Sequence, residues 1–125
     1  LLQLHVQTLA ASGRLTELAG ARALPLDRET RRLGLPRAAE RKLRALGGDS
    51  PSARVLSAYA EGINARVAEL GPAELPVEFK LLGTRPGRWE PVHSVHLINR
   101  MGYTLAYQAP ELDRAAAAAR VGAAA

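Results

Sequence analysis

Prolines and glycines cut this chain into helix-length pieces. Pro36, Pro51, Pro91 and Pro110 each stand where a helix can begin, while Gly34, the Gly47-Gly48 pair and Gly71 stand where one stops. Proline suits a first helical turn because the N–H it lacks would have no intrahelical partner there. Glycine ends helices because it adopts left-handed geometry without a Cβ clash. The pieces between are rich in Ala, Leu and Arg, which are strong helix formers. Strand-favouring residues are scarce, with one Phe, one Trp and three Tyr in 125 residues. These features predict an all-α fold, a single helical domain over residues 1–125 with irregular connections and no strand.

The pieces can be read in order. In LLQLHVQTLAASGRLTELAG, Leu2, Val6, Leu9, Leu15 and Leu18 recur at helical spacing, and Ser12-Gly13 marks a kink or a close packing contact. No capping residue precedes this pattern at Leu1, so further chain is expected upstream. Asp27 is read as the N-cap of a short helix ending near Gly34, and Pro36 opens a helix running to Gly47. Ser50 caps the next helix, whose apolar face is Val55, Leu56, Tyr59, Ile63, Val67 and Leu70. Residues 76–82 form one or two turns with Phe79 and Leu82 on one side. After a turn built on Gly83, Pro86 and Gly87, a helix from Pro91 carries Val95, Ile98, Met101 and Leu105 at three- and four-residue steps. Pro110 opens a last, alanine-rich helix.

Composition narrows the function classes. No apolar run approaches the ~18 residues that a membrane span requires, and no basic then apolar leader pattern opens the chain. There is no cysteine, hence no disulfide. The formal net charge of +5 and the basic residues Arg22, Arg28, Arg31, Arg32, Arg37, Arg41, Lys42 and Arg44 raise a nucleic-acid reading. Asp27, Glu29 and Glu40 interrupt the run, and no aromatic lies among them to stack a base. The expectation is a solvated or subunit-facing surface and no nucleic-acid partner. A non-catalytic basic helical binding module for an acidic partner or nucleic acid is the alternative function.

Catalytic and metal patterns are thin. His93 and His96 share a helical face, but zinc needs a further protein ligand, and only His5 is left among the histidines. The pair is read as partly exposed helix residues. Glu111 and Asp113 are two apart and diverge on a helix. Ser12, Ser50, Ser52, Ser57 and Ser94 lack a nucleophile-elbow context, and no phosphate- or dinucleotide-binding fingerprint is present. The chain holds no catalytic residues of its own.

Four stretches, in order, resemble the small-subunit region of the penicillin acylase (penicillin amidase) family of N-terminal-nucleophile hydrolases. Residues 12–20 are similar to its Ser-Gly-Arg-Leu-x-Glu-Leu-x-Gly segment, and LDRETRRLGLPRAAER is similar to its Asp-Arg … Arg-x-Leu-Gly segment. AYAEGINARV, with Tyr59, Gly62, Ile63 and Asn64, resembles its Ala-Tyr-x-x-Gly-Ile-Asn-Ala run. LPVEFKLLGTRPGRWEP resembles its Leu-Pro-x-Glu-Phe-x-Leu-Leu-Gly … Trp-x-Pro stretch.

The resemblance implies a self-cleaved precursor amidase that removes the acyl group from an acylated amine. Its nucleophile would open a large subunit, the partner of this chain, and the family's β-rich catalytic core and first small-subunit strand would lie outside residues 1–125. The fragment alone is then inactive. Phe79 would anchor a short helix, and Trp89 would pin the turn feeding the Pro91 helix, which presents side chains to the acyl pocket. By resemblance, Met101 and Leu105 bind substrate, the other reading being ordinary core. PELDR is similar to a segment whose Glu helps to hold a structural calcium, which makes Glu111 a metal ligand in the complete enzyme or simply a carboxylate favoured at a helix start. No cofactor is expected on this chain alone, and the family places such enzymes in the periplasm or outside the cell. Where the family commonly carries Asp, four residues after Trp89, this chain has His93.

Overall fold

The computed structural model describes residues 1–106 and 110–122. They form α1 (Leu2–Ser12), α2 (Thr16–Ala19), a 3-10 turn (Gly20–Ala23), α3 (Leu24–Arg32), α4 (Leu35–Leu46), α5 (Pro51–Glu69), α6 (Val77–Leu81), α7 (Pro91–Ala106) and α8 (Pro110–Val121). No strand occurs among the described residues, as the scarcity of β-favouring side chains predicts. Helix α7 packs chiefly on α4 and α1, and also on α5, while α3 lies against α1 and α4.

The punctuation works as the sequence predicts in most places. Ser50 takes an extended backbone and its hydroxyl accepts the Ala53 N–H at 3.1 Å, so α5 starts with one of its free donors satisfied. Gly13 ends α1 in left-handed geometry at φ 67°, so Ser12-Gly13 is a stop rather than a kink. It is also a close packing contact. A Cβ there would meet Arg31 Cγ at 2.8 Å and the Asp27 carbonyl at 3.1 Å.

Asp27 differs from its expected role. It lies inside α3, which begins at Leu24 with Pro25 in its first turn, and it is 4% exposed. Its carboxylate reaches back to α2, accepting the Leu15 N–H at 2.9 Å and the Thr16 N–H at 2.7 Å. Asp27 therefore caps a neighbouring helix rather than its own. Two further bonds tie the same pair of motifs: Arg31 Nε donates to the Gly13 carbonyl at 2.7 Å, and Thr30 Oγ1 donates to the Ala10 carbonyl at 3.4 Å.

Among the described residues the buried apolar ones are Ala10, Ala11, Ala23, Ala39, Ala53, Ala60, Phe79, Trp89 and Val95. A core so rich in alanine lets helices approach closely but buries little area per residue. Several large apolar side chains stay outside: Val55 is 69% exposed and Tyr59 52%, while Leu56, Ile63, Val67 and Leu70 are half-buried, so the apolar stripe of α5 is only partly covered by this chain. Leu82, expected beside Phe79, is 49% exposed. The chain presents 8800 Å² of surface, where a compact protein of its mass would show about 6,500 Å². Among the exposed large apolar side chains are Val55, Leu81, Ile98, Met101 and Leu105.

Candidate functional site

The site is built outward from Trp89. Its backbone is clamped by one side chain, with Asn64 Oδ1 accepting the Trp89 N–H at 2.8 Å and Asn64 Nδ2 donating to the Trp89 carbonyl at 2.9 Å. The indole N–H donates to Ser94 Oγ at 3.2 Å, and the Tyr59 ring meets the indole edge-on at 6.4 Å. Tyr59 and Asn64 belong to the Ala-Tyr stretch and Trp89 to the Trp-x-Pro stretch, so two distant motifs meet in one joint. That joint fixes where α7 begins. Phe79, which is fully buried, stacks at a tilt on His5 of α1 at 5.5 Å and holds α6 in place.

His93 completes the start of α7. Its Nδ1 accepts the Glu90 N–H at 3.0 Å, three residues back, in the manner of a capping-box side chain. A carboxylate at this position could accept the same N–H. His93 also packs edge-on to Trp89 at 5.4 Å and against His96 at 6.4 Å. His96 is buried, and its Nδ1 has no hydrogen-bond partner among the described residues. Burial pushes His5, His93 and His96 below the ordinary imidazole value. The Arg14 charge adds to this at His5 and His93, and His93 adds to it at His96, while Glu90 opposes it at His93 and Glu40 at His96. No group of three or more metal-binding side chains forms among the described residues, so the His93–His96 pair has no third ligand there.

From this joint α7 runs outward with Met101 64% exposed and Leu105 80% exposed. Both line a groove of about 500 Å³ between α7 and α1, floored by Leu4 and Leu97 and edged by Gln3, Gln7, Arg100 and Thr104. The structure places the two residues singled out in the sequence on one groove at this chain's surface. Ile98, from the same stripe, borders a second apolar groove of about 680 Å³ with Leu46, Val55, Leu56 and Val95. That groove was not anticipated. Its signal was the α5 stripe, which periodicity alone cannot assign to a core or to an open face. Glu111 is exposed in the first turn of α8 with Asp113 nearby in sequence. The arginines at 22, 28, 31, 32, 37, 41 and 44 and Lys42 are all exposed. No helix among the described residues is long and apolar enough to cross a membrane.

The sequence model of the penicillin amidase family matches residues 1–125. The chain belongs to that family. It is 39% identical over 102 residues to penicillin acylase 2 proenzyme of a Pseudomonas species, covering 82% of this chain and 13% of that protein. Against acyl-homoserine lactone acylase QuiP of Pseudomonas aeruginosa the identity is 35% over 104 residues, covering 82% of this chain and 12% of the relative. Penicillin G acylase of Escherichia coli is 30% identical over 94 residues, covering 73% and 11%. The chain spans about an eighth of the length of these curated relatives.

Proposed function

We propose that this chain is the helical, acyl-binding portion of a penicillin amidase-type amide hydrolase, with α7 offering Met101 and Leu105 to the acyl group of an acylated amine. The observation that carries this reading is the exposed apolar groove of Leu4, Leu97, Met101 and Leu105 on a helix whose start is pinned by Asn64 and Trp89. An apolar floor with a polar edge suits an acyl chain whose head carries an amide. The relatives' names support the class. One set acts on penicillins and another on acyl-homoserine lactones, and what these share is an acyl group on nitrogen. Bond cleavage is assigned to an N-terminal nucleophile on a large subunit of the same precursor; the word proenzyme in one relative's name supports that maturation.

In the same reading the complete enzyme works in the periplasm or outside the cell and holds one calcium with help from Glu111. Calcium takes six to eight oxygens, and this chain's described residues offer no cluster of three ligands, so the other donors come from elsewhere in the precursor. Calcium titration of the complete enzyme should show one site weakened by Glu111→Ala; unchanged affinity would leave Glu111 a helix-start carboxylate.

The test of the function is kinetic. The complete enzyme should hydrolyse N-acyl anilides, and Leu105→Phe should shift the relative kcat/KM of short and long acyl chains by about 1–3 kcal/mol. Absence of amide hydrolysis, or a chain-length profile indifferent to Leu105→Phe, would contradict the proposal.

A further inference from the structure

Asn99 is a polar residue in the buried stripe of α7, between Val95 and Tyr103 and 8% exposed. Its side chain is engaged at both ends by α4. Oδ1 accepts from Lys42 Nζ, and Nδ2 donates to the Leu35 carbonyl at 3.4 Å. Leu35 and Lys42 are two helical turns apart, and midway between them lies Ala39, which is fully buried. The small Ala39 side chain lets α7 come close enough for one amide to span both partners. One turn further along α7, Tyr103 Oη donates to Glu29 Oε1 of α3 at 3.1 Å.

A buried amide costs free energy unless its partners are met, so it favours the one helix placement that meets them. Apolar contacts around Ala39 and Val95 are non-directional, whereas the Lys42–Asn99–Leu35 link adds a directional preference for one placement of α7. Met101 and Leu105 leave α7 roughly 200° and 240° around the axis from Asn99, counted at about 100° per residue. A turn of ~20° would carry a side chain at a radius of ~6 Å through about 2 Å, more than the length of a carbon–carbon bond. A rotation of α7 that strained these bonds would reshape the groove on the far side of the helix.

We propose that Asn99, held by Lys42, is a positioning residue that sets the acyl-chain selectivity of the Met101–Leu105 groove. It touches no substrate. The inference rests on the acyl-binding reading above, so its test carries Leu105→Phe as an independent reference. In the complete enzyme, kcat/KM is measured for N-acyl anilides of increasing chain length in Asn99→Leu, Lys42→Met, the double variant and Lys42→Arg. Asn99→Leu and Lys42→Met should each change the long-to-short ratio by about three- to thirty-fold. The double variant should change it no more than either single, because both remove one link. Lys42→Arg, which keeps a donor, should retain the original profile. A merely structural Asn99 would lower thermal stability and leave that ratio alone. If Leu105→Phe moves the ratio while Asn99→Leu and Lys42→Met stay within twofold of the parent, the positioning role is overturned and the groove reading stands. If Leu105→Phe has no effect, the groove reading falls and this inference falls with it. Should Asn99→Leu fail to fold, the exposed Lys42→Met decides the matter alone.

Discussion

Asn64→Ala strips both partners from the Trp89 backbone at once. The lost bonds are 2.8 and 2.9 Å long, and Trp89 is only 6% exposed, so its N–H and carbonyl are left without their partner in a poorly hydrated place. Each unpaired group costs about 1–3 kcal/mol. With some recovery by water entering the gap left by the side chain, the expected local cost is about 2–4 kcal/mol. Asn64→Asp keeps an acceptor for the N–H but sets a carboxylate oxygen against the Trp89 carbonyl in place of the donor, so it should not restore the clamp. Hydrogen exchange followed by mass spectrometry in the complete enzyme reads this directly. The Trp89 amide should exchange roughly thirty- to a thousand-fold faster in Asn64→Ala, with faster exchange spreading into the first turn of α7 and none in α3. Exchange at Trp89 within threefold of the parent would refute the clamp.

Two other outcomes follow from local geometry. The three histidines are all held below their unfolded value of about 6.5, so the unfolded chain binds more protons as the pH falls. Their stability contribution is complete above pH ~6.5 and is lost as the pH drops through the folded values; His93→Asp should remove its share and flatten the decline in urea-midpoint measurements below about pH 6.5. Gly13→Ala forces φ 67° on a residue with a Cβ, and that atom would press on the Asp27 carbonyl at 3.1 Å. A loss of about 2–3 kcal/mol is expected from the left-handed backbone and the crowding together; a neutral effect in chemical denaturation would contradict the packing described.

Much of the fold was legible because proline and glycine act locally. Pro51 after Ser50, and Pro91 after Glu90, start α5 and α7 by rules that need no knowledge of the rest of the chain. Trp89 and Phe79 were legible too, since two large side chains in an aromatic-poor chain have few places to go but inside. What escaped were contacts made across sequence distance. Asp27 looks like the cap of its own helix, but Leu24 and Pro25 have already begun α3, and its carboxylate serves residues 15 and 16 instead. Asn99 and Lys42 carry no pattern at all, being one polar residue in an apolar stripe and one cation among arginines, and only the packing of α7 on α4 joins them. The α5 stripe was visible, yet amphipathicity says only that a face is apolar. Whether this chain or another covers it is decided by tertiary contacts.

Four motifs that suggested a family turn out, in this chain, to build architecture. Residues 12–20 and Asp27 lock α1, α2 and α3 together, and Asn64 and Trp89 set the start of α7. Met101 and Leu105, the side chains proposed to meet the acyl group, lie beyond them on α7. The most direct measurement is a crystal structure of the complete enzyme with a bound acyl product. Acyl carbons within about 4.5 Å of Met101 and Leu105 are the expected result. An acyl chain bound elsewhere, with the groove of Leu4, Leu97, Met101 and Leu105 filled by side chains of the rest of the precursor, would contradict it.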